Sequence, residues 1–373
     1  MGVGPVRRAL PFLMLRHLSS PLRLFAGSGC LSHLRAELAR AGCSRVVVLG
    51  SPSLAESPVM ASVVAACGEA CVATLADARQ NAPRQAVEHL RDAIRAVGAD
   101  GVVAVGGGSV MVSARAALIL LAEDKPLETL CTRIDQTGQP ISPRLSAPKL
   151  PIFAVPTTPT TAVAKAGSAV SDGGHRRTLF DPKTRPAAIF LEPAGLDGTP
   201  EAVINRALAN TLVSTVEGLL AATDPLAEGQ LRQALRLLGP DRSRQDQAIA
   251  AILCAQGTDH TGLGLATVLS HALTAVTGLE GGTAKAIVLP HVLPLCSPDG
   301  LARLADGWGC PAADLPDCLS FALRRVEPMR RLQDCGLAKN SLAAVADACL
   351  QDWFFRAAPT SRDQILSVLR AAW

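Results

Sequence analysis

The apolar run GVVAV at 101–105 leads straight into Gly106, Gly107, Gly108 and Ser109, and MVSARAALILLA follows with the character of a helix. A strand, a glycine turn and a helix in that order leave backbone N–H groups open at a helix N-terminus. Three successive residues without a Cβ let a diphosphate approach them closely. The chemistry this spacing suggests is nucleotide binding. Side chains able to act on a substrate are fewer. Tyr is absent, which excludes a tyrosyl proton donor and with it short-chain-type dehydrogenase chemistry. Lys165 is the only Lys in its apolar strand region and either faces a cleft or snorkels to its edge. His260 stands just before a Gly-rich helix start and is a second, weaker candidate.

These groups need elements to hold them. Residues 22–122 alternate short β-rich runs with longer helical ones: strands at 22–26, 46–49, 72–75 and 101–105, helices at 30–41, 57–67 and 84–97. That alternation predicts a parallel sheet. A Pro/Ser-rich stretch at 136–149 reads as a surface excursion before another apolar strand, PIFAVPTTPTT at 151–161. From about Thr199 the β signal fades. Amphipathic runs at 201–222, 225–238, 246–258, 262–276, 283–296, 300–309, 315–331, 340–355 and 362–372 predict helices. Pro193 and the segment GLDGTP read as a hinge, giving an α/β nucleotide domain over 1–193 and an all-α domain over 194–373.

Composition sets the class. With 49% apolar and 18% charged residues in 373, the chain has ample material for a core, and its net charge of +4 makes no footprint for nucleic acid. Small molecules are the expected partners. The 11 cysteines are spread thinly without a CxxC pair, as expected of reduced thiols in a cytoplasmic protein. Arg16 and His17 interrupt the apolar stretch near the start, which argues against a signal peptide, and no apolar run is long enough for a membrane span.

Taken in order, LFAGSGCLSHL, GADGVVAVGGGS at 99–109, VPTT at 155–158, the Asp181/Pro182 pair, LPHV at 289–292 and APTSRDQILSVLRAAW resemble the iron-containing alcohol dehydrogenase superfamily, most of all its maleylacetate reductase branch. The resemblance implies a Rossmann-like N-terminal domain and a helical C-terminal domain, with a dinucleotide and a substrate between them. It places Gly106, Gly107, Gly108 and Ser109 on the pyrophosphate, Thr157 and Thr158 on the adenosine and phosphate side, and Arg176 where the family has a Lys near the nucleotide. Gly50 and Ser51 fall where NAD-preferring members often carry an Asp for the adenosine ribose. A neutral Ser51 would not repel a 2′-phosphate, so NAD and NADP both stay open, as does a homodimer. The family's Asp and Lys after GGGS appear as Val112 and Arg115, and its Gly-Ser-Glu run as Ala162, Val163 and Ala164.

The metal site is where the chain departs furthest. The family builds it from one Asp and three His, and the matching positions here are Asn210, Ser214, Thr267 and Gly281. An amide, two hydroxyls and a glycine are poor donors for iron or zinc, so no metal is expected. His271, one turn after Thr267, is the histidine retained from the cluster, and the resemblance directs it into the cleft as a proton or hydrogen-bond donor. Two functions fit this pattern. One is a metal-independent NAD(P)H-linked oxidoreductase acting on a carbonyl or an activated C=C. The other is a non-redox enzyme of lyase or isomerase type, or a non-catalytic partner, on the same fold.

Overall fold

The computed structural model describes residues 15–135, 140–173, 175–328, 330–350, 352 and 360–373. The first half alternates β1 (Leu24–Ala26), α1 (Leu34–Arg40), β2 (Val46–Leu49), α2 (Pro58–Cys67), β3 (Cys71–Leu75), α3 (Arg84–Ala96), β4 (Gly101–Gly106) and α4 (Gly108–Glu123). After the one-turn α5 (Leu127–Leu130) and the short pair β5 (Arg133–Ile134) and β6 (Pro140–Ile141) come β7 (Ile152–Pro156), a hairpin of β8 (Gly167–Asp172) and β9 (His175–Phe180), and β10 (Ala188–Leu191). Helices follow: α6 (Pro193–Asp197), α7 (Glu201–Ala221), α8 (Pro225–Leu237), α9 (Arg244–Thr261), α10 (Leu265–Thr277), α11 (Gly281–Val292), α12 (Pro298–Trp308), α13 (Leu315–Val326), α14 (Leu342–Leu350) and α15 (Arg362–Ala372).

Strands covered on both faces read as unbroken apolar runs, and their side chains divide between the faces with a period of two. Val47, Leu49, Val102, Ala104, Ile152 and Ala154 pack with Leu90, Ile94, Leu118 and Ile119 of α3 and α4. Val46, Val48, Val103, Val105, Phe153 and Val155 pack with Leu34, Leu38, Val59 and Val63 of α1 and α2. The six-stranded sheet runs β1-β10-β7-β4-β2-β3, with its paired strands parallel. From β2 the chain moves outward to β3, and from β4 it moves the other way, to β7 and then β10. The reversal puts a topological switch point between β2 and β4, whose ends are level at Leu49↔Ala104. Ligands of open α/β sheets bind outside the carboxyl ends of the strands at such a point.

Two expectations change, and one element is additional. The apolar run at 151–161 is a strand only to Pro156, because Thr157 N turns to donate to Gly106 O at 3.1 Å and Pro159 has no N–H to continue the ladder. The β8–β9 hairpin forms a small sheet of its own. It buries Val170 and Leu179 while His175 and Arg176 are exposed. The segment expected as a hinge is folded. Pro193–Asp197 is a helix capped by Glu192, Thr199 Oγ1 donates to Thr157 O at 2.8 Å, and Arg244 donates to Leu196 O at 2.7 Å.

In the helical half α7 is buried from 211 to 219 and packs against α9 and α11. Leu212, Val216, Leu219, Leu269, Leu273, Val288 and Leu289 belong to one core. Helix α13 stops at Val326 instead of 331, and the expected end of the 340–355 helix lies outside the described residues. No helix of the described residues is long and apolar enough to cross a membrane.

Candidate active site

Two loops meet at the switch point. Gly50 and Ser51 follow β2, and residues 106–109 follow β4 into α4. Gly106 has φ +147°, and a Cβ there would lie 2.6 Å from Val110 Cγ2, so only glycine makes this turn without strain. Gly107 precedes α4 without any side-chain cap, which leaves the first N–H groups of the helix open to a ligand. A Cβ on Gly107 would press on Thr158 Oγ1 at 3.2 Å, and one on Gly108 on Thr160 Oγ1 at 2.9 Å. Thr157 and Thr158 thus pack directly under the loop, both buried. Ser51 is half-buried, with its Oγ 3.0 Å from Ser53 Oγ.

Behind this loop the substituted run Ala162–Val163–Ala164 is held by its carbonyls. Arg115 Nη1 donates to Ala162 O and Arg185 Nη1 to Ala164 O, each at 2.6 Å. Lys165 does not turn to His271. Its Nζ donates to Thr258 Oγ1 and to Asp259 Oδ1, both at 2.8 Å, while Arg185 Nη2 holds Asp259 Oδ2 at 2.7 Å. Burial pushes Lys165 below its ordinary value and Asp259 pulls it back.

The four positions matched to the family's metal ligands lie on three helices: Asn210 and Ser214 on α7, Thr267 on α10 and Gly281 on α11. At three of them the side-chain donor is already engaged or missing. Thr267 donates through N to Glu217 Oε1 at 3.0 Å and through its hydroxyl to Glu217 Oε2. Ser214 Oγ accepts from Lys285 Nζ at 2.9 Å. Gly281 has no side chain, although a Cβ there would meet nothing closer than 3.9 Å. This donor set does not fit iron or zinc.

Lys285 did not stand out in the sequence. The signal available was a single Lys in GGTAKAIVLP, one turn after Gly281, inside a helix whose neighbouring side chains are all buried. It is 4% exposed, and burial lowers its pKa, with Glu217 opposing.

His271, one turn after Thr267, places Nδ1 2.8 Å from Asp352 Oδ2. Burial, then the charge of Arg176 on β9, push its imidazole down to about 4 against the pull of Asp352. The ring is neutral near pH 7, and its contact with Asp352 fixes its orientation. Arg176 itself is exposed, on the hairpin strand that faces this histidine.

His260 has other partners. Its ring stacks on His17 at 3.9 Å between centroids, and both face Asp224, with His260 Nδ1 4.0 Å from Oδ2. Near-parallel rings aim their lone pairs side by side, so one ion shared by all three requires them to splay. A cavity of about 30 Å³ lined by Ser19, Ala164, Arg185, Asp259 and His260 adjoins this group, not the glycine loop.

A parallel doubly wound sheet with an open glycine loop at its switch point, followed by a helical half, defines a nucleotide-binding α/β architecture. Residues 21–193 match the family model "Iron-containing alcohol dehydrogenase". Maleylacetate reductase of Pseudomonas aeruginosa is 28% identical, over 94% of this chain and 95% of its own length. Lactaldehyde reductase of Escherichia coli is 26% identical, over 93% and 97%. The crystal structure of sulfoacetaldehyde reductase from Bifidobacterium kashiwanohense in complex with NAD+ superposes with a TM-score of 0.83 at 17% identity, covering 96% of this chain and 99% of that one. Residues 21–193 thus resemble the iron-containing alcohol dehydrogenase family, and the chain is similar along most of its length to maleylacetate reductases.

Proposed function

We propose that this protein is a metal-independent NAD(P)-linked oxidoreductase that reduces the carbonyl or activated C=C of a small substrate. One observation carries the reading: the α4 N-terminus, uncapped by any side chain, opens at the switch point of a parallel sheet. Residues 106–109 would hold the pyrophosphate, Thr157 and Thr158 would support that loop from below, and Gly50 and Ser51 would meet the adenosine ribose. When bound, the nicotinamide supplies a hydride. The reduction also takes up one proton, which would come from solvent; His271, oriented by Asp352, would hydrogen-bond the reacting group, and Arg176 would add positive charge beside it. Metal independence follows from the donor chemistry of Asn210, Ser214, Thr267 and Gly281 and from the ammonium already bonded to Ser214.

A second reading draws on one specific observation. A buried amine of lowered basicity, as at Lys285, also suits Schiff-base chemistry, which would make the protein a non-redox enzyme. The deciding experiment is a fluorescence titration with NADH and NADPH, followed by assays on lactaldehyde and maleylacetate in the presence of a chelator. Sub-millimolar binding and chelator-insensitive turnover are expected. No binding of either nucleotide at millimolar concentration contradicts the oxidoreductase reading.

A further inference from the structure

Lys285 is the one Lys, Arg, Asp or Glu in α11, and the positions around it, 282–289, are all buried. An ammonium carries three donors, and one of them is placed, on Ser214 Oγ at 2.9 Å. It forms no ion pair among the described residues. Glu217, whose charge acts on it most, spends both oxygens on Thr267. Leaving a buried cation with unmet donors is costly, so this arrangement asks for an oxygen from elsewhere.

The location says which oxygen. Ser214 holds the ammonium and Gly281 lies one turn before Lys285 on the same helix, so Lys285 bonds one of the four positions where the superfamily's metal ligands would stand and follows a second. The missing side chain at Gly281 leaves space, since nothing within 3.9 Å would oppose a Cβ. His271, one turn from Thr267, is near enough to feel the Lys285 charge.

We propose that the ammonium of Lys285 takes the place of the metal cation and receives the substrate's carbonyl oxygen through its remaining N–H groups. The inference rests on the oxidoreductase reading for the identity of that oxygen, and on geometry alone for the position of the cation. A fixed positive charge in a water-poor site stabilises the negative charge that grows on oxygen as a carbonyl is reduced. A Lys does this as a point charge with three donors, where a metal would act as a Lewis acid.

Two measurements test it. In the first, the four ligands are rebuilt (Asn210→Asp, Ser214→His, Thr267→His, Gly281→His), with Lys285 kept or changed Lys285→Asn. Both proteins are titrated with Zn²⁺ after thermal melts confirm that they fold. Zinc is expected to bind at least roughly tenfold more tightly without the ammonium, because two cations cannot share one buried position. Equal affinity overturns the proposal whatever the reaction proves to be. In the second, Lys285→Met and Lys285→Arg are made in the otherwise native chain, with thermal melts confirming that each folds. NADH binding should match wild type in both. For Lys285→Met, kcat for lactaldehyde or maleylacetate should fall by roughly 10²- to 10³-fold, with part of the loss recovered in Lys285→Arg. Unchanged turnover in Lys285→Met overturns the proposal, as does a carbonyl probe trapped on Lys285 by borohydride, which assigns the residue to Schiff-base chemistry. A wild type that binds no NADH contradicts the oxidoreductase reading instead, and the zinc titration then decides the place of Lys285 alone.

Discussion

The loop at the carboxyl end of the sheet, 106–109, and the helical centre around Ser214, Thr267 and Lys285 differ in what could carry their chemistry. At the loop the available groups are backbone N–H groups, open because Gly106 can hold φ +147° and because no side chain caps α4. In the centre the groups are side chains projecting from α7, α10 and α11, and these have been exchanged while the helices stay packed. Backbone recognition survives as long as the glycines do. Side-chain chemistry can be rewritten without disturbing the scaffold.

The largest effect should follow from attacking the backbone site. Gly107→Val forces a branched side chain against Thr158 and into the mouth of the loop. It should weaken NADH or NADPH by roughly a hundredfold, about 3 kcal/mol, with the melting temperature nearly unchanged. Binding that survives this change would erase the distinction between the two regions.

The helical centre should show itself in acid. His271 titrates near 4 when folded and near 6.5 when unfolded, so between those values the unfolded chain binds the extra proton. The stability this contributes is fully present above pH 6.5 and lost as pH falls towards 4, up to about 3 kcal/mol. Urea midpoints at pH 7, 5.5 and 4.5 measure it, and His271→Asn should flatten the slope.

Next in size is the seam between the regions. Asp259→Asn leaves Lys165 and Arg185 facing one another without their shared carboxylate and should cost about 2 kcal/mol, less than for a fully buried pair. Adding Lys165→Met should return part of it in denaturant melts. The smallest effect is expected at the ribose end. Ser51→Asp should shift preference from NADPH to NADH by roughly tenfold, with no change at His271 or Lys285.

The two regions were also unequally legible. Strands β2, β4 and the first half of 151–161 are doubly covered apolar runs, and the glycine loop is contiguous in the chain, so both stood out from local pattern. The β8–β9 hairpin did not, because its buried apolar residues, Val170 and Leu179, are few and His175 and Arg176, on opposite faces, are both exposed. Replacement of the ligands at 210, 214, 267 and 281 could be read by alignment. What replaced them could not, since the contact of Lys285 with Ser214 spans 71 positions and a lone Lys in an apolar helix looks like one that reaches solvent. His260 drew attention as a titratable residue, yet its partners His17 and Asp224 are brought to it only by the fold.

The central proposal is that this protein, which resembles the iron-containing alcohol dehydrogenases, runs its helical centre on side chains and not on a metal. The most direct test is elemental analysis of protein loaded with Fe²⁺ and Zn²⁺ and passed through a desalting column, alongside His260→Ala to silence the His17–Asp224–His260 group. Iron and zinc well below one per chain in His260→Ala is the predicted result. About one metal per chain, retained in His260→Ala, would contradict it.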